Sequence, residues 1–126
     1  MKRHSWLLLA FVATGCTSDE PAPTLEEIQL EVLNKSCGFS SCHDGGSYLL
    51  DLSTMEASMS MVNQESERAA NEIFVIPGDP DNSYLVKKLE GASGIVDEPM
   101  PPPAGGLDES KIAMVRDWIA AGALTD

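Results

Sequence analysis

The chain has 126 residues, 43% of them hydrophobic and 6% aromatic, and its 20 acidic side chains against 8 basic ones give a net charge of −12. That length suits one domain and gives no sign of two. The acidic balance excludes nucleic acid and anionic lipid headgroups as partners; it serves solubility and would steer a basic partner protein toward docking.

The first fifteen residues do not belong to that domain. Lys2, Arg3 and His4 form a positive start, Trp6 to Ala13 an apolar run too short to span a bilayer, and Ala13-Thr14-Gly15 a group of small residues before Cys16. This resembles a bacterial lipoprotein signal, which implies that residues 1–15 are removed and Cys16 is lipidated. Export then leaves six basic side chains (Lys35, Arg68, Lys87, Lys88, Lys111, Arg116) against the 20 acidic ones, a net charge near −14. Thr17 after the lipidated cysteine, in place of an aspartate, resembles sorting to the outer membrane, with the domain facing the periplasm. Residues 16–23, polar and punctuated by Pro21 and Pro23, read as a tether.

The fold is expected over 24–126. Thr24-Leu25-Glu26-Glu27 is a capping box, and Leu25, Ile28, Val32 and Leu33 share one helical face, so a first helix should run to about Lys35. It delivers the chain into Cys37-Gly38-Phe39-Ser40-Ser41-Cys42-His43. Asp44-Gly45-Gly46 breaks regular structure, and Tyr48-Leu49-Leu50-Asp51-Leu52 is an apolar stretch suited to closing over a buried group. Ser53-Thr54-Met55-Glu56 is a second capping-box match, and Met55, Met59 and Val62 recur at helical spacing, which predicts a short second helix. Ile73-Phe74-Val75-Ile76, ended by Pro77-Gly78, reads as an extended buried connection. A third helix should follow the N-cap candidates in Asp79-Pro80-Asp81-Asn82-Ser83, carry Leu85 and Leu89, and stop at Gly91. Residues 92–106, with three glycines and four prolines, form a loop around Met100. The last helix should start near Asp108, show Ile112, Val115 and Ile119 on one face with Trp118 beside them, and end at Gly122. The pattern is an all-α domain with long loops, whose core would be thin without a large apolar group inside it.

Two cysteines followed at once by a histidine are what covalent haem attachment requires: the thiols add to the haem vinyl groups and the adjacent imidazole is held under the iron. The usual spacing between the cysteines is two residues; here it is four. His43 is the one histidine left after export. Met100, held between Pro99 and Pro101-Pro102-Pro103, is the candidate for a second axial ligand, because proline restriction lowers the entropy lost in fixing its side chain. Met55, Met59, Met61 and Met114 fall in predicted helices and read as core filler.

The entering helix, the 37–43 motif, Ile76-Pro77-Gly78-Asp79-Pro80-Asp81-Asn82-Ser83-Tyr84-Leu85, Glu98-Pro99-Met100-Pro101-Pro102 and Trp118-Ile119-Ala120-Ala121-Gly122-Ala123 occur in an order that resembles the cytochrome c family. They look most like the class I mono-haem domains of exported planctomycete and myxobacterial proteins. The resemblance implies a small helical domain wrapped around one haem c, with thioethers at Cys37 and Cys42 and axial ligands from His43 and Met100. It also implies that the first and last helices cross. Iron with both axial positions filled favours one-electron transfer over oxygen or peroxide chemistry, so the expected role is an electron carrier exchanging electrons with redox proteins, not an enzyme. Two alternatives differ in class. One is a non-haem interaction lipoprotein with a Cys37–Cys42 disulfide, which export permits. The other is a metal held directly by Cys37, Cys42, His43 and an acidic residue.

Overall fold

Thr24 opens the first helix from an extended backbone (φ −88°, ψ 162°) in the computed structural model, which describes residues 20–39, 42–46, 50–103 and 106–125. The Thr24 hydroxyl accepts from the Glu27 N–H at 3.2 Å and the Glu27 carboxylate accepts from the Thr24 N–H at 2.8 Å, so the expected capping box is present. Helix α1 then runs through three consecutive stretches: Leu25–Ile28 is α-helical, Gln29–Leu33 is π-helical and Asn34–Ser36 is α-helical again. Leu25, Ile28, Val32 and Leu33 are buried as the spacing predicts, and Gln29 is buried among them. The expected signal peptide (1–15), Cys16 and residues 17–19 of the tether lie outside the described residues.

Helix α2 is a single short turn, Met55–Met59. Its N-cap is Thr54, whose hydroxyl accepts from the Ala57 N–H at 3.1 Å, and not Ser53 as the capping-box match predicts. The physical reason is a competitor upstream: one Asp51 carboxylate oxygen accepts from both the N–H (2.8 Å) and the hydroxyl (2.6 Å) of Ser53, which makes Ser53 part of an Asx turn. The methionines divide. Met61 is fully buried just beyond α2, Met55 and Met114 pack half-buried against the core, and Met59, expected as filler, is 38% exposed.

The connection over 60–76 is extended where the sequence says it should be. Val75 is fully buried, Ile73, Phe74 and Ile76 are half-buried, and two isolated bridges, Val62 to Val75 and Glu65 to Ile73, hold the segment. Helix α3, Tyr84–Glu90, buries Tyr84, Leu85, Val86 and Leu89 and stops at Gly91, whose φ of 66° is the left-handed conformation that glycine adopts without strain. Ser83 occupies its N-cap position but does not cap with its side chain. Its hydroxyl instead accepts from the Ile76 N–H at 2.9 Å and donates to the Asp79 carbonyl at 2.8 Å.

Helix α4, Glu109–Ala120, buries Val115, Trp118 and Ile119, and the Trp118 indole N–H donates to the Leu124 carbonyl at 2.9 Å. Its last helical residue is Ala120 and Ala121 caps it, just before the expected stop at Gly122; Gly122 (φ 111°) and Ala123 (φ 51°) reverse the chain. The Gly78 N–H donates to the Ile119 carbonyl at 2.7 Å, docking the Pro77-Gly78 turn on the end of α4. Helix α1 touches α4 and α2, and α3 touches α4, around one apolar core. Among the described residues the architecture is therefore helical, with no strands. Nor is any described helix long and apolar enough to cross a membrane.

Candidate functional site

The last turn of α1 runs straight into the cysteine motif. The Leu33 carbonyl accepts from both the Cys37 N–H (2.8 Å) and the Gly38 N–H (2.7 Å), and the chain then turns out of the helix. Two backbone bonds tie the ends of the motif: the Cys42 N–H donates to the Phe39 carbonyl and the His43 N–H donates back to the Cys37 carbonyl, both at 3.0 Å. The long spacing thus still returns His43 to the start of the loop. Cys37 is 7% exposed and joins the core, whereas Cys42 is half-buried, and both are free thiols. Burial, with a smaller contribution from Cys42, pushes the Cys37 thiol up to about 11. A thiol held protonated at neutral pH is a poor thiolate ligand. Among the described residues, no three of His, Cys, Asp and Glu converge to hold a metal ion, so the directly bound metal finds no site there.

His43 is held at its ring and its backbone by one strap, residues 50–52. Its Nδ1–H donates to the Leu50 carbonyl at 2.9 Å, and its own carbonyl accepts from the Leu52 N–H, also at 2.9 Å. Because a carbonyl oxygen can only accept, this bond places a proton on Nδ1, so Nε2 is the ring nitrogen that would coordinate. Metal-binding histidines use the same device, the second ring nitrogen donating to a carbonyl or carboxylate that fixes the ring. Leu50 packs half-buried against the core and Leu52 is 3% exposed; Tyr48 and Leu49, like Ser40 and Ser41, lie outside the described residues.

Met100 stands on a different support. It is half-buried, and its N–H donates to the Lys88 carbonyl on α3 at 2.8 Å. The Lys88 ammonium reaches into the same loop and donates to the carbonyls of Val96 (2.7 Å) and Glu98. Tyr84 adds a third tie, its hydroxyl accepting from the Val96 N–H at 2.9 Å. Burial pulls the Lys88 ammonium below the usual lysine range, the mark of a cation drawn partly out of water by the loop it binds. The structure brings Cys37, Cys42 and His43 together in one closed loop and fixes Met100 in a second loop, moored to α3.

Sequence reasoning missed three residues here. Lys88 and Tyr84 moor the Met100 loop, and the sequence carries no local sign of either contact. Gln29 is the third: its amide donates to the Leu52 carbonyl at 3.0 Å and to the Asn34 side-chain oxygen at 2.7 Å. The signal was present, for position 29 completes the apolar stripe 25, 28, 32, 33 and is the one polar residue in it.

Two cavities lie elsewhere, between the 20–24 segment and α4. The larger, about 490 Å³, is walled by Met114, Asp117 and Ala120, the smaller, about 90 Å³, by Trp118 and Leu124, and neither touches the motif or Met100. The chain matches no protein-family model, no curated protein and no solved structure.

Proposed function

We propose that the chain is an exported, lipid-anchored one-electron carrier, with one haem joined to Cys37 and Cys42 and held axially by His43 and Met100. The observation that carries this reading is the His43 Nδ1–H donating to the Leu50 carbonyl, directly after a cysteine and inside a loop closed on Cys37. The residues fit the group. The Cys37 thiol is protonated and the Cys42 thiol half-buried, neither in a disulfide, the imidazole carries a proton on Nδ1 so that Nε2 would be the coordinating nitrogen, and Leu33, Leu50 and Leu52 are apolar residues of the adjoining core.

Bound there, the haem iron would supply reversible one-electron oxidation and reduction. The protein's own part is to hold ligands and choose partners. The Leu50 carbonyl fixes the orientation of the His43 ring. Lys88 and Tyr84 hold the Met100 loop, so that Met100 would offer the iron a thioether rather than water; soft sulfur would favour the reduced metal and a higher potential. The acidic surface steers a basic redox partner to the protein, while lipid at Cys16 confines the encounter to the membrane surface.

Expression with cytochrome c maturation factors tests the proposal. The expected product has a Soret band that survives acid–acetone extraction and a mass increased by one haem. A chain that comes out two hydrogens lighter and colourless would instead be the disulfide-bearing interaction lipoprotein. In the haem-loaded protein Met100→Ala should lower the reduction potential and admit exogenous ligands to the iron; an unchanged spectrum with added ligand would remove Met100 from the site.

A further inference from the structure

Gln29 is 5% exposed, yet its side-chain oxygen accepts no hydrogen bond from the described residues. A buried amide left half-satisfied is destabilising, a cost that an apolar side chain of the same length would avoid. The amide is retained in the apolar stripe of α1, in the π-helical stretch, a local form frequent at functional sites. What it gains is two donations, and the one to the Leu52 carbonyl spans 23 residues of sequence.

That carbonyl is the back of the strap that holds His43. Gly38 lies against it so closely that a Cβ there would sit 2.4 Å from the oxygen, and Gln29 binds the same oxygen at 3.0 Å. The Leu52 N–H meanwhile donates to the His43 carbonyl, and two residues earlier the Leu50 carbonyl takes the His43 ring proton. From this geometry we infer that Gln29 is a positioning residue for His43: it fixes the Leu52 peptide, and through the strap it fixes the orientation of the imidazole. The inference deepens the ligand role proposed for His43 and rests on it only where haem is measured.

Gln29→Met removes the donor at constant length, and Asn34→Ala removes the other acceptor while leaving the Leu52 bond alone. Amide hydrogen exchange and the imidazole ¹⁵N signals are read on the full chain as purified. In Gln29→Met, exchange at Leu52 and His43 should accelerate by about tenfold, the loss of one buried hydrogen bond, while Val115 and Ile119 in α4 keep the wild-type rate. The His43 ring ¹⁵N signals should move from their wild-type positions, and in haem-loaded protein the reduction potential should rise as the Nδ1–H bond to the Leu50 carbonyl weakens. Asn34→Ala should leave these signals unchanged. Equal acceleration throughout the core, or none at Leu52 and His43, would overturn the role. A wild-type chain that binds no haem would defeat the function proposed above but leave the exchange result standing, so the two failures are distinguishable.

Discussion

A methyl group at position 38 would sit 2.4 Å from the Leu52 carbonyl oxygen and 2.8 Å from its carbon, and both are backbone atoms with no rotamer to change. Gly38→Ala should therefore cost at least the upper part of the roughly 1–3 kcal/mol typical of overpacking, read as a lowered urea midpoint. It should also separate the strap from the motif, since both Gln29 and His43 depend on where Leu52 lies. At this scale the sequence offers site candidates where the pattern is local. Cys37, Cys42 and His43 announce themselves by adjacency, and Met100 by its prolines. What holds them was not legible: the Gln29 bond spans 23 residues, and the Lys88 ammonium reaches eight and ten residues along the chain to carbonyls that have no side-chain identity.

Helix boundaries were read from caps, and the reading failed by small amounts where another group bid for the same hydrogen bond. Thr24 capped as expected because Glu27 is its natural partner. Ser53 did not, because Asp51 took its N–H and hydroxyl, and Ser83 turned its hydroxyl back to Ile76 and Asp79. The two lysines in the last turn of α3 suit the helix dipole, but the structure gives each a longer errand: Lys87 pairs with Glu72 at 2.7 Å and Lys88 binds the Met100 loop. Lys88→Met keeps most of the stem and removes the charge-assisted bonds to Val96 and Glu98. It should destabilise the protein by about 1–3 kcal/mol and open the 92–106 loop to limited proteolysis well before the helices are cut. Protection equal to wild type would mean that Tyr84 and the Lys88 backbone carbonyl suffice.

For the whole molecule the decisive junction is α1 against α4, where Glu31 meets Lys35 on its own helix at 2.7 Å and Lys111 across the interface at 3.0 Å. Lys35, then Lys111, hold the Glu31 carboxyl at about 2, against its ordinary 4.5. Because the folded state depresses this pKa, the stabilisation is present above pH 4.5 and is lost as pH falls from there toward 2. Acid also relieves repulsion among the 20 acidic side chains, so the contribution is best read as a difference. The Tm of wild type minus that of Glu31→Gln should be positive near pH 6, shrink toward zero by about pH 2, and diminish with added salt because the Glu31 side chain is only partly buried, 43% exposed. A difference that does not change with pH would show that the pair does not join the helices.

The π-helical stretch gives α1 an uneven tolerance to changes of length. Its bond from the Asn34 N–H to the Gln29 carbonyl encloses one residue more than an α-turn, and Leu30 within that stretch is 53% exposed. Deleting Leu30 should let α1 continue as an unbroken α-helix, with Leu25 and Ile28 before the cut and Val32 and Leu33 after it still facing the core. Deleting Glu26 instead would turn everything beyond it by about 100° relative to Leu25 and carry Cys37 off its side of the helix. A shortened chain that still folds after the first deletion and fails after the second, compared by thermal melting, would identify Leu30 as the spare residue of the segment that aims the cysteine motif.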